Sequence, residues 1–127
     1  MELLSLYLGG GGNHHILIHI NSVRSTFNEE NMFHELSHAS LDFRWGGSVN
    51  EDEWKKAIAQ DKYYISEYAW NLFYEEDLAE TALWWFAARC RPSTISQKNY
   101  DKVIKHLPNR FNYLDKQNFD FYPVVCE

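Results

Sequence analysis

His34-Glu35-Leu36-Ser37-His38 is a stretch in which two histidines lie four positions apart and a glutamate directly follows the first. On an α-helix, residues at this spacing lie about 40° apart around the axis and about 6 Å apart along it. The two imidazoles can therefore point ring nitrogens at one metal ion, and zinc accepts such nitrogens in tetrahedral geometry. Glu35 would lie beside that point, where its carboxylate could act as a general base on a water molecule.

The same stretch falls within a helical pattern of apolar residues. Its members recur at helical spacing, which predicts one buried face; they are Met32, Phe33, Leu36, Ala39 and Phe43. The helix would begin at Asn28 or at Thr26, which forms a possible capping box with Glu29. It would run to about Phe43, and Gly46-Gly47 would end the segment.

A zinc site that catalyses hydrolysis generally needs a third protein ligand and one open position. No histidine follows His38 until His106, so the alternative source is a carboxylate on a second helix. Residues Glu75 to Arg89 predict this helix. Its apolar face would comprise Leu78, Ala82, Trp85 and Phe86. Glu76 and Glu80 share another face, so that one could bind the metal while the other braces a ligand histidine.

Segments of other types surround these two helices. Residues Glu2 to Leu8 and His15 to Ile20 are apolar or β-branched and predict two short strands, which the four glycines at 9–12 would connect by a turn. A short helix ending near Lys62 would bury Trp54, Ala57 and Ile58. The aromatic segment from Tyr63 to Phe73 is compatible with helix or with a loop over the site.

The C-terminal third predicts one more helix and a packed tail. The helix would run from Ser96, as its N-cap, to Leu107, with Pro108 after its end. The tail from Asn109 to Glu127 is too apolar to be a free linker, so we expect it to pack back onto the domain. Cys90 and Cys126 could form a disulfide bridge or remain free thiols.

Length and composition limit the class of protein. A chain of 127 residues suits a single domain, and 17 % aromatic residues suffice for a packed core. A net charge of −6 disfavours a nucleic-acid partner. No apolar run approaches the roughly 20 residues that span a bilayer. Residues Met1 to Leu8 lack the basic start of a signal peptide, so the default expectation is a cytoplasmic protein.

The motif and the later acidic segment together resemble the gluzincin group of zinc metallopeptidases. In that group, two histidines of a His-Glu-x-x-His helix and one glutamate of a later helix hold the metal. The segments Ser66-Glu67-Tyr68-Ala69 and Glu76-Asp77-Leu78-Ala79-Glu80 are similar to the compact gluzincin domains related to the catalytic domain of anthrax lethal factor. Asp42 also fits their His-x-x-x-Asp continuation. The resemblance covers roughly residues 16–88.

This resemblance implies a role for each matching residue. The zinc ligands would be His34, His38 and Glu76, with Glu75 and Glu80 as rivals to Glu76, and Glu35 would be the general base. Glu80 and Asp42 would not bind the metal themselves but would hold the ligand histidines in position. Tyr68 would stabilise the oxyanion, although Tyr74, Tyr64 and Tyr63 remain alternatives because the spacing before Glu76 departs by about one residue. The strand Ile16–Ile20 would be the sheet edge along which a peptide substrate lies.

Taken together, we expect a small α+β zincin-like domain over residues 1–127. A short antiparallel β segment would pack on the His-Glu-x-x-His helix and on the Glu-bearing helix, with a C-terminal helix and tail completing the fold. The expected function is zinc-dependent hydrolysis of a peptide bond in a peptide or protein substrate. The alternative is a zinc-binding interaction module with little or no turnover. A third possibility is a peptidase blocked by its own tail, Phe119 to Glu127.

Overall fold

The structure is a computed structural model and describes residues 10–12, 15–17, 29–65 and 74–127. The chain divides into two compact units, one up to Glu51 and the other from Asp52 to Glu127. None of the described helices combines the length and the apolar content needed to cross a membrane.

The predicted α+β class is wrong, because the described residues are predominantly helical, with five α-helices. Their one β element is an antiparallel pair of three-residue strands, β1 (Gly10–Gly12) and β2 (His15–Leu17), in which Gly11 faces Ile16. The glycines predicted as a turn are themselves the partner strand, and glycine contributes no side chain to a sheet face. Such a pair cannot form a sheet layer. The strand predicted at Glu2–Leu8 and residues 18–20 of the second strand lie outside the described residues.

In the first unit, the helix that carries the motif changes its winding within the motif itself. Helix α1 (Glu29–Ser37) is followed by a π-helical segment, His38–Asp42, and then by a 3₁₀ turn, Phe43–Trp45. The predicted single α-helix to about Phe43 is therefore correct in extent but not in winding. π-helical segments are rare and occur frequently at functional sites. The predicted caps at Thr26 and Asn28 lie outside the described residues.

The described part of the second unit contains four α-helices, of which three were predicted. Helix α2 (Glu51–Asp61) buries Trp54, Ala57 and Ile58 as expected. Helix α3 (Tyr74–Cys90) buries Leu78, Ala82 and Trp85, while Phe86 is half-buried. Helix α4 (Gln97–His106) begins at Ser96, whose hydroxyl accepts the N–H of Asn99 at 3.2 Å. These elements follow the sequence pattern because their buried residues recur at helical spacing.

The fourth helix, α5 (Pro108–Asp115), was not predicted, because Pro108 was interpreted as the end of the preceding helix and Asn109 onward as a packed tail. Proline lacks an N–H and is favourable at the first position of a helix, where no acceptor is available anyway. The carboxylate of Asp61, at the end of α2, accepts the N–H groups of Asn109 at 2.8 Å and Arg110 at 3.1 Å. A distant side chain thus supplies the cap that local sequence did not show.

A buried ionic network joins three helices of the second unit. The guanidinium of Arg110 donates to Asp77 at 2.9 and 3.0 Å and to Asp61 at 3.2 Å, and all three side chains are at most 1 % exposed. Arg110 also donates to the carbonyl of Tyr63 at 2.6 Å, and the indole N–H of Trp54 donates to Asp77 at 3.1 Å. Because Asp77 lies in the first turn of α3, the network fixes the start of that helix.

The tail packs onto the far end of α3, as the sequence predicted. Cys90 and Cys126 form a disulfide, which decides the alternative left open above. Phe121 lies 5.5 Å from Trp85 and 5.2 Å from Phe86, measured between ring centres. The carboxylate of Glu127 accepts hydrogen bonds from the N–H and the hydroxyl of Ser93.

Removing this disulfide should destabilise the second unit. The bridge closes a loop over a sequence separation of 36 residues. Chain-entropy arguments give such a loop about 2–4 kcal/mol of stabilisation. We expect the free energy of unfolding of the Cys90→Ser/Cys126→Ser variant, measured in urea, to be lower by this amount than that of the oxidised wild type. The reduced wild type should unfold at the same urea concentration as the variant. An unchanged midpoint in both would contradict a stabilising role for the bridge.

Candidate metal centre

The two histidines of the motif face each other across one turn. Their Nε2 atoms lie 3.2 Å apart, and their rings meet edge to face with centres 4.8 Å apart. Both side chains are half-buried. The structure therefore directs one nitrogen of each ring at a shared point, as the spacing in the sequence predicted.

This distance fits a shared metal ion. Two imidazole nitrogens bound to one zinc at 2.0–2.1 Å in tetrahedral geometry are about 3.3 Å apart. The pair could take up zinc with little movement of either ring. Nitrogen donors of this type suit zinc better than calcium or magnesium, which prefer oxygen ligands.

Asp42 lies directly behind His38. Its Oδ2 is 2.6 Å from Nδ1 of His38, and its Oδ1 accepts the N–H of Arg44 at 3.0 Å. The Asp42 side chain is buried, with 4 % of the residue exposed. Because a carboxylate accepts a hydrogen bond here, Nδ1 of His38 carries a proton, and in the neutral imidazole this leaves the lone pair of Nε2 for a metal. This is the arrangement that the predicted supporting role of Asp42 requires.

Glu35 is half-buried on α1 and lies one position after His34, about 100° further around the helix. The Glu35 side chain therefore leaves the helix to one side of the line that joins the two histidines. That position suits a general base beside a metal ion better than it suits a ligand of the metal.

In the second unit, Glu76 and Glu80 are half-buried and lie one turn apart on the same face of α3. Asp77, between them, is buried and bound by Arg110 and Trp54. Burial raises the pKa of Asp77 above its ordinary value, and the nearby charge and hydrogen bonds of Arg110 act against that rise. The buried network thus holds the first turn, on which Glu76 is placed.

The oxyanion-stabilising tyrosine predicted at Tyr68 lies outside the described residues. Among the alternatives, Tyr74 precedes Glu76 by two positions, about 200° around α3, and so lies on the opposite face, with Lys55 Nζ 4.7 Å from its ring centre. Tyr64 is 37 % exposed. Tyr63 stacks on His106 with ring centres 4.4 Å apart. Helix geometry therefore gives Tyr74 no direct access to the face that carries Glu76.

Sequence reasoning missed two residues that shape the segments on which the predicted ligands lie. Gly47 was interpreted only as the end of the helical segment, yet it accommodates a close backbone approach. Arg110 was assigned to an apolar tail, yet it pairs with Asp77 beside Glu76. A single glycine is enough to end a helix, so the second glycine of Gly46-Gly47 was the available signal for the role of Gly47. Pro108, two positions before Arg110 and a common first residue of helices, was the signal for the role of Arg110.

Comparison of the chain with protein-family models, with curated proteins and with solved structures found no match.

Proposed function

We propose that the chain is a zinc-dependent peptidase in which His34, His38 and Glu76 hold the metal. The observation that carries the proposal is the opposed pair of histidine Nε2 atoms at 3.2 Å, with a buried carboxylate 2.6 Å from Nδ1 of His38. A histidine that binds zinc usually donates its other N–H to such a group. The choice of Glu76 as third ligand rests on the sequence and on its resemblance to gluzincins.

The chemistry follows from the donor set. Two imidazoles and one carboxylate would hold zinc and leave a fourth position for substrate or water, and bound zinc would supply a Lewis acid that polarises a carbonyl group. Glu35 takes a proton from the attacking water and delivers it to the leaving amine. Asp42 keeps His38 in the Nδ1–H form throughout, because its buried carboxylate accepts that proton's hydrogen bond.

The described tail does not support self-inhibition. Phe119 lies against Trp85, and Phe121 lies against both Trp85 and Phe86. The N–H of Glu127, the last residue, donates to the carbonyl of Cys90 at the end of α3. Glu76 lies in the first turn of the same helix, about 21 Å from Cys90 along the axis. A tail that is fastened at the far end of α3 leaves the first turn of α3 clear of it.

The test is the metal content of the purified chain and of two neighbouring variants. We expect one zinc per wild-type chain by metal analysis. Glu76→Ala should weaken zinc binding by more than the roughly 10–100-fold typical of a residue that only supports a ligand. Glu75→Ala is the matched control, because Glu75 is also half-buried in the first turn of α3 and carries the same charge.

Two outcomes would contradict this assignment. Failure of the wild type to retain or take up zinc would overturn the metal site as a whole. Equal zinc affinities for the two variants would overturn Glu76 as the third ligand while leaving the histidine pair in place.

A further inference from the structure

The helix that carries both histidines ends in a segment that folds back over it, residues 43–49, which we call the return loop. Its N–H groups donate to carbonyls of the preceding π-helical segment. The bonds run from Gly47 to Asp42, from Ser48 to Ser40 and from Val49 to Leu41, at 3.1, 3.2 and 3.0 Å. A helix ordinarily leaves its last carbonyls without partners inside the helix. The return loop supplies these partners, and the buried Val49, 1 % exposed, fixes its end.

The return loop also holds the carboxylate behind His38. Arg44 and Trp45 have φ angles of 48° and 66°, a left-handed conformation that non-glycine residues adopt only at a cost in free energy. In this conformation the N–H of Arg44 reaches Oδ1 of Asp42, while Oδ2 of Asp42 faces His38. The two oxygens of one carboxylate are thus held from opposite directions, by the loop and by the imidazole.

Gly47 is the position at which the return loop approaches the helix most closely. A Cβ atom added there would lie 2.3 Å from the carbonyl oxygen of Leu41 and 2.9 Å from that of Ser40. Both contacts are to backbone, so that the loop itself would have to move. At the neighbouring Gly46, the nearest atom to an added Cβ is the carbonyl oxygen of Phe43, 3.8 Å away, which is an ordinary contact.

We infer that Gly47 is a positioning residue, which acts through the return loop and Asp42 to fix the tautomer and direction of the His38 ring. The metal-binding part of this inference rests on the proposed zinc site. The part that concerns the tautomer does not, because it rests only on the contact between Asp42 and His38.

The experiment compares Gly47→Ala with Gly46→Ala. In the zinc-free protein, ¹⁵N chemical shifts of the His38 ring report which nitrogen carries the proton. We expect the Nδ1–H form in the wild type and in Gly46→Ala, and a mixture of tautomers in Gly47→Ala. Zinc affinity, measured by competition with a chelator, should fall by about 10–100-fold in Gly47→Ala and stay unchanged in Gly46→Ala.

Asp42→Asn shows whether the effect passes through the carboxylate. If it does, the double variant Gly47→Ala/Asp42→Asn should bind zinc no more weakly than the weaker of the two single variants. Should Gly47→Ala fail to fold, Val49→Ala loosens the same loop without a clash, and we expect a smaller change of tautomer in the same direction.

Two sets of results would overturn the inference. One is a His38 tautomer that is unchanged in Gly47→Ala, or in Val49→Ala where that variant is the one that folds. The other is a loss of affinity in the double variant that equals the product of the two single losses. A wild type that binds no zinc would refute the proposed function, while the tautomer measurement would still decide the role of Gly47.

Discussion

Replacing Glu35 by glutamine should strongly reduce the rate of peptide hydrolysis and leave zinc binding intact. Glutamine has nearly the same shape as glutamate but cannot accept a proton at neutral pH, so only the proton transfer is removed. General-base catalysis by a positioned side chain contributes typically about 10²–10⁴-fold to a rate. We therefore expect kcat to fall by this factor, with unchanged zinc stoichiometry, in a cleavage assay on a peptide library.

Glu30→Gln is the matched control. Glu30 lies on the same helix α1, is exposed and loses the same charge, and we expect its variant to cleave at the wild-type rate. A kcat in Glu35→Gln close to that of the wild type would contradict the assigned base. Zinc that is bound by a wild type without any cleavage would instead favour the alternative, a zinc-binding interaction module.

Three helices of the second unit, α2, α3 and α4, could be predicted because their buried residues obey a local rule. In α2, Trp54, Ala57 and Ile58 recur at the helical period, and all three are buried. Ser96 is a good N-cap by its chemistry alone, and its hydroxyl accepts the expected N–H. Such features depend on residues within a few positions of each other, so that one sequence contains the whole signal.

Features that depend on distant residues could not be predicted. The cap of α5 comes from Asp61, which lies 48 positions before Asn109, and no local pattern links the two. The pairing of the strands Gly10–Gly12 and His15–Leu17 was not predicted, for a different reason. Glycine is compatible with both turn and extended backbone, so the local sequence did not decide between them.

The candidate centre shows the same division. The 3.2 Å approach of His34 and His38 follows from their spacing on one helix. The π-helical winding from His38 to Asp42 does not, because it depends on the return loop that binds the carbonyls of that segment. The proposal that Glu76 binds the same metal ion as the two histidines concerns two segments far apart in sequence. No local pattern can establish such a pairing.

Replacing Arg110 by methionine should produce the largest loss of stability among single changes in the second unit. Methionine is close to arginine in length but leaves the buried carboxylates of Asp61 and Asp77 without the guanidinium that pairs with them. Removing one partner of a buried ion pair costs about 3–5 kcal/mol. We expect this decrease in the free energy of unfolding, measured by urea denaturation at neutral pH.

Arg89→Met is the control for the loss of an arginine as such. Arg89 also pairs with an aspartate, Asp115, at 2.9 Å, but the two side chains are 35 % and 40 % exposed. Exposed pairs contribute about 0–1 kcal/mol. Equal losses in the two variants would show that the buried network does not stabilise the first turn of α3.

The pH dependence provides a second check on the Arg110→Met variant. Burial already raises the pKa of Asp77 in the wild type, and the charge and hydrogen bonds of Arg110 counteract this rise. Without Arg110 the pKa of folded Asp77 should rise further above the unfolded value of about 3.9. A group whose pKa is raised on folding stabilises the folded state when protonated, and this contribution is lost as pH increases. The deficit of the variant relative to the wild type should therefore shrink as pH falls from neutral toward about 4, whereas a constant deficit would show that Asp77 is not the charge left unpaired.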